Sequence, residues 1–114
     1  MIDNKVIAKW NKKEVVLNSF LSIPNTFTAE IMSEQGYDAL TIDYQHGMIG
    51  FSDLLTMLQS IRNSGVTPIC RVSSLDHAVI SKVMDAGALG IICPMINNRK
   101  QAEQLVKDSK YPPV

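Results

Sequence analysis

The stretch "ALTIDYQHG", residues 39–47, decides how the chain folds. Its first five residues form an almost wholly apolar run that ends in a carboxylate, Asp43. An apolar run without alternation reads as a strand covered on both faces, which is the habit of parallel sheets. Tyr44, Gln45 and His46 then crowd in front of Gly47, where the backbone must turn. Strand, polar exit, turn and helix together make one βα unit.

Working outward, the same unit recurs. Further apolar runs at 15–23, 68–72 and 89–95 read as strands. Between and after them, apolar residues return at the spacing of one helix face: Leu54, Leu58 and Ile61 in 52–64, Val79, Ile80, Val83 and Met84 in 76–86, and Ala102, Leu105 and Val106 in 98–110. Phe27, Ile31 and Met32 mark a helix between the first two strands, and Val6, Ile7 and Trp10 mark one before the first strand. Gly36, Gly65 and Gly87 each stand between a helix and a strand, where a left-handed residue ends the helix. Ser52 and Asp76 are expected N-caps, and Asn98 with Gln101 resembles a capping box. The sum is (βα)₄ with a leading helix. Such a set builds either a small open sheet with helices on both sides or half of an eight-stranded barrel, and periodicity alone leaves both open. In either one, reactive groups gather beyond the carboxyl ends of the strands.

Composition narrows the function classes. Of 114 residues, 46% are hydrophobic and 19% charged, enough for one modest core and no second domain. Eleven basic and eleven acidic residues balance, with no basic block, so nucleic acid is not an expected partner. Asn18 and Ser19 split the first apolar run, so neither a secretory leader nor a membrane span is expected, and the cytoplasm is the expected compartment. Cys70 and Cys93 fit no zinc spacing and read as buried thiols in a reducing compartment.

At the strand exits the sequence offers Asn18, Ser19 and Ser22, then Asp43, Gln45 and His46, then Arg71, Ser73 and Ser74, and finally Asn97. His46 is the sharpest of these, because a histidine held by an aspartate works as a general base near neutral pH. The plain alternative is a histidine that caps a helix or bonds a loop carbonyl; the Asp-x-x-His spacing at a strand exit favours chemistry. Arg71 interrupts an apolar strand, so its charge must meet a partner or leave at the rim. It either captures a substrate carboxylate or phosphate, or forms a structural ion pair with Asp43 or Asp76. His77 is expected to be exposed and without a role, Tyr44 to pack, the methionines to fill the core, and Asp85 to order its loop.

The segments "TIDYQHG", "PICRV", "VMDAGALGIICPM" and "KYPP", in this order and spacing, resemble the HpcH/HpaI aldolase family, the metal-dependent class II pyruvate aldolases typified by 4-hydroxy-2-oxoheptanedioate aldolase. The resemblance implies the N-terminal half of a (β/α)₈ TIM barrel, with residues 1–114 as one half-barrel domain. It implies aldol cleavage of 4-hydroxy-2-oxo acids to pyruvate, or a related oxo acid, and an aldehyde. His46 matches the catalytic base, Asp43 the carboxylate that orients it, and Arg71 the clamp on the oxo-acid carboxylate. Gln45, also at the substrate, stands where many relatives carry glutamate, which removes a charge beside His46. The family's divalent metal (Mg, Mn or Co) is held by a glutamate and an aspartate on later strands, beyond Val114, so no residue here is matched to a metal ligand. A half barrel leaves two sheet edges and its inner face bare. At about 25 cal/mol per Å², several hundred Å² of bare apolar area costs on the order of 10 kcal/mol, comparable to a domain's whole stability. A homodimer or higher homo-oligomer is therefore expected, with two copies closing an eight-stranded barrel. Two functions stand: a lyase fragment carrying the base and the carboxylate clamp, or a catalytically silent half-barrel that only self-associates. An independent open sheet binding a small anion at Arg71 is a more distant third.

Overall fold

The computed structural model describes residues 3–112; Pro113, the last residue of the "KYPP" motif, lies outside them. A leading helix α1 (Lys5–Asn11) is followed by β1 (Asn18–Leu21), α2 (Thr26–Ser33), β2 (Ala39–Asp43), α3 (Phe51–Ile61), β3 (Thr67–Arg71), α4 (His77–Asp85), β4 (Gly90–Ile92) and α5 (Arg99–Asp108). All strand pairs are parallel and the spatial order is β1-β2-β3-β4.

That order decides between the two architectures. Right-handed crossovers that always step the same way put their helices on one face, whereas an open doubly wound sheet must reverse its strand order. Here α2, α3 and α4 share one side. Leu21, Leu40, Ile42 and Cys70 point to it and pack with Ala29 of α2, Leu54, Met57, Leu58 and Ile61 of α3, and Ile80 and Val83 of α4. The fold is half of a TIM-barrel-like fold, and the open sheet with helices on both sides is set aside. Gly36, Gly65 and Gly87 have φ of 91°, 84° and 116°, the left-handed turns expected before each strand.

The opposite face, which would line a barrel, carries Asn18 and Phe20 of β1, Ala39, Thr41 and Asp43 of β2, Thr67, Ile69 and Arg71 of β3, and Gly90 and Ile92 of β4, following the ladder register. Only β2 is buried along its whole length. The edge strands are not: Phe20 and Ile92 are exposed, so burial on both faces fails where no neighbour strand follows. At the amino-terminal end, α1 closes this face. Asn4 caps α1 and donates to the Leu89 carbonyl (3.3 Å), and Asp38 takes Lys9 (2.8 Å), Lys5 (3.4 Å) and the Leu17 amide (2.9 Å). The Leu17 amide bond, then Lys9, hold the Asp38 carboxyl down at about 2.

Several local expectations need correction. The first strand is shorter than its apolar run: Val15 and Leu17 are exposed before the ladder begins. Asn18 and Ser19 thus open β1 instead of forming its exit, and Asn18 accepts from the Thr41 hydroxyl (3.0 Å) within the sheet. The cap of α3 is Gly50, whose amide donates to Asp53 (2.9 Å), so Ser52 lies inside the helix. Ala102 and Val106 face outward, because only the Leu105 side of α5 meets the core. Asp76 caps α4 as expected, and Asn98 caps α5 while Gln101 accepts from the neighbouring Asn97 amide (2.7 Å). Cys70 is buried on the helix side, where desolvation pushes its thiol up to about 12; Cys93 is only half-buried.

Candidate active site

The mouth at the carboxyl ends of the strands is organised by one carboxylate. Ladder register sets Asp43, the last residue of β2, beside Arg71, the last of β3. The two meet edge to edge: Arg71 Nε donates to Asp43 Oδ1 (3.0 Å) and Nη2 to Oδ2 (2.6 Å). Such forked, charge-assisted pairs are the strong and geometrically specific ones. Asp43 is buried, while the Arg71 side chain keeps 27% of its surface exposed. Hydrogen bonding to Arg71 is the main reason the Asp43 carboxyl sits well below its usual 3.8, at about 2; desolvation opposes the shift, and the His46 and Gln45 amides add to it.

Those amides shape the next turn. Past Asp43 the chain doubles back: the amides of Gln45 (3.2 Å) and His46 (3.0 Å) donate to Oδ1, and the Gly47 amide to the Asp43 carbonyl (3.1 Å). The turn is so tight that a Cβ at Gly47 would stand 2.3 Å from the Asp43 carbonyl oxygen. Glycine is required here by space. Tyr44 donates its amide to the Arg71 carbonyl (3.0 Å) and packs on the core, as expected, so the β2 exit is tied to β3 through backbone as well as side chain.

Asp43, Gln45, His46 and Arg71 are therefore brought together on one rim, though not in the arrangement a base-and-orienter reading implies. Asp43 holds His46 by its backbone amide, and among the described residues nothing bonds the imidazole, which is exposed. The carboxylate is engaged elsewhere: Oδ1 takes Arg71 Nε and two amides, and Oδ2 takes Nη2. Of the two structural partners weighed for Arg71, Asp43 is the one it meets; Asp76 caps α4 instead. The Gln45 side chain makes no hydrogen bond among the described residues. Ser22, Ser73, Ser74 and Asn97 are exposed around the same mouth.

Among the described residues no three His, Cys, Asp or Glu side chains stand together as a metal site. Asp43, the carboxylate at the centre of the mouth, is spent on four donors. These residues by themselves do not fit a divalent metal.

Phe20 escaped the sequence reading. Its ring lies 5.0 Å from the Arg71 guanidinium carbon, on the inner face of β1. Reading the run 15–23 as covered on both faces hid it; a period-2 reading would have separated Phe20 from buried Leu21. His77, exposed as expected, pairs through Nδ1 with buried Asp108 (3.1 Å). Asp85 accepts from the Tyr111 hydroxyl (2.9 Å), tying the end of α4 to the "KYPP" segment.

A sequence model of the HpcH/HpaI aldolase/citrate lyase family matches residues 17–114. The chain belongs to this family. It is 40% identical over 110 residues to a hydroxypyruvate/pyruvate aldolase of Rhizorhabdus wittichii, covering 96% of this chain and 44% of that protein. It is 32% identical over 113 residues to a 2-keto-3-deoxy-L-rhamnonate aldolase of Escherichia coli, covering 99% and 42%. Among solved structures, citrate synthase SbnG superposes with a TM-score of 0.89 at 32% identity, over 97% of this chain and 45% of that one. An HpcH/HpaI aldolase of Desulfitobacterium hafniense gives 0.87 at 24% identity over 97% and 43%, a likeness of fold alone. The chain thus spans less than half the length of these relatives. Within the family, the relatives named here as aldolases are carbon–carbon lyases.

Proposed function

We propose that this chain supplies the carboxylate clamp and the base of a carbon–carbon lyase site acting on 4-hydroxy-2-oxo acids. The observation that carries the reading is the forked Asp43–Arg71 pair, whose carboxylate also holds the loop bearing His46. A guanidinium has five N–H donors and Asp43 engages two, leaving three for a substrate carboxylate. The Asp43 charge keeps the guanidinium at the rim, and Gln45 stands beside it.

Cleavage then balances as follows. His46, through a water, takes the proton of the 4-hydroxyl as the C3–C4 bond breaks. The bonding pair becomes the C2–C3 double bond of an enolate, and C4 leaves as an aldehyde. The positive charge of Arg71 lies beside the carboxylate of the developing enolate, where it stabilises the charge that forms. Return of that proton from His46 through water to C3 yields pyruvate or a related oxo acid and restores the neutral imidazole. The divalent metal implied by the family resemblance would supply further charge at the oxo-acid oxygens; its ligands would come from outside residues 3–112. The exposed imidazole of His46 favours a base that meets water directly, with its loop, rather than its ring, fixed by Asp43.

The inner face supports a second, compatible proposal. Phe20, Ile92 and Met95 are exposed at or beside the edge strands, and the buried Thr67 hydroxyl has no partner among the described residues. Trp10, Val15, Thr67, Ile69 and Ile92 help line an open cavity of about 560 Å³ that runs from under α1 along the inner face to the end of β4. Two copies joined over this face would cover it. A silent half-barrel that only self-associates shares these features and differs solely in activity. Two unpaired thiols, Cys70 and Cys93, fit the cytoplasm, and no helix among the described residues is long and apolar enough to cross a membrane.

Pyruvate release from a 4-hydroxy-2-oxo acid in the presence of Mn²⁺ or Mg²⁺ separates the readings. The lyase reading predicts turnover that His46→Ala abolishes and Arg71→Lys weakens mainly through KM. No turnover by the unmodified chain leaves the self-associating half-barrel.

A further inference from the structure

We propose that Phe20 is a positioning residue, whose ring fixes the plane of the Arg71 guanidinium so that its free N–H groups present a constant face to a carboxylate. The role rests on reading Arg71 as the clamp. Asp43 grips the guanidinium along one edge, through Nε and Nη2. A grip along one edge fixes two donors but leaves the group free to rock about the line joining them. A ring 5.0 Å from Cζ restrains that rocking, because the negative face of the ring attracts the cation.

The placement of Phe20 supports a task other than core packing. Leu21, the next residue, is buried among the helices, whereas Phe20 stays 46% exposed. Ladder register puts it beside Thr41, with β2 standing between β1 and β3, so the ring reaches Arg71 across an intervening strand. Three successive strands thus converge on one side chain: β1 gives the ring, β2 the carboxylate and β3 the arginine. The Arg71 side chain is still 27% exposed, so this double restraint leaves room for a ligand.

The test separates ring electrostatics from bulk. Phe20→Leu keeps an apolar, shorter side chain and removes the ring, while Phe20→Trp offers the best cation partner among the aromatic residues. In the ¹⁵N-labelled chain, the Arg71 Nε–H resonance, assigned by its loss in Arg71→Lys, is the readout. Phe20→Leu is expected to shift it and to speed its exchange with water about two- to fivefold, while Phe20→Trp holds it near the original value. A folded Phe20→Leu chain, verified by its backbone amide spectrum, with unchanged Arg71 exchange overturns the positioning role. Titration with pyruvate tests the clamp separately. Weakening by a similar factor in Phe20→Leu, with recovery in Phe20→Trp, supports both ideas. Absence of pyruvate binding in the unmodified chain, with the exchange effect intact, overturns the clamp and not the hold of Phe20 on Arg71.

Discussion

The two faces of the sheet differ in what they ask of a side chain. The helix-covered face carries Leu21, Leu40, Ile42 and Cys70, all buried against α2, α3 and α4. The other face carries Asn18, Thr41, Asp43, Thr67 and Arg71 among its apolar residues, and its edge strands leave Phe20 and Ile92 exposed. One face is a finished core. The other is the uncovered inner face of half a barrel, with the candidate site at its rim and an open cavity along it. The difference teaches that the core and the candidate site fall on alternate residues of the same strands, one step apart, so a substitution at position i and another at i+1 should fail in different ways.

The largest expected effect comes from breaking the finished face. Leu40→Ala removes a fully buried side chain and should cost about 2–5 kcal/mol in urea unfolding, with no direct effect on the rim. Gly47→Ala strikes the junction between the faces. Its Cβ would overlap the Asp43 carbonyl, so the loop must shift; a loss of about 1–3 kcal/mol is expected, together with loss of pyruvate binding, which calorimetric titration would read. Ile92→Asp sharpens the comparison from the unfinished side. It should leave the helical circular dichroism signal intact but weaken self-association about tenfold, measured by sedimentation against concentration. The smallest expected effect is a pH dependence seen only in acid. Asp43 titrates at about 2 instead of its usual 3.8, so its contribution to stability is complete above roughly pH 4 and is lost as pH falls toward 2. Acid unfolding of Asp43→Asn should lack that component, giving a flatter curve between pH 4 and 2.

The order of elements was legible because parallel strands and their helices advertise themselves separately: continuous apolar runs for 39–43, an i, i+3, i+4 face for α3 and α4, and glycines with positive φ between. The choice between an open sheet and a barrel half was not, since it depends on strand order, which periodicity does not carry. It came from motif resemblance and then from the one-sided placement of α2, α3 and α4. At the rim, the identities of Asp43, His46 and Arg71 were legible from their position after apolar runs. Their wiring was not. The Asp-x-x-His spacing fits a carboxylate on an imidazole and equally a carboxylate on a backbone amide; the structure has the second, with the same carboxylate forked onto Arg71 of the next strand. Phe20 stayed hidden for a related reason: whether an edge-strand side chain is covered depends on a neighbour that lies elsewhere in space.

The claim that the inner face is half of a shared interior is tested most directly by the mass of the chain in solution at micromolar concentration, measured by light scattering. The account predicts at least twice the mass of one chain. A compact single-chain species, with no tendency to associate as concentration rises, would contradict it.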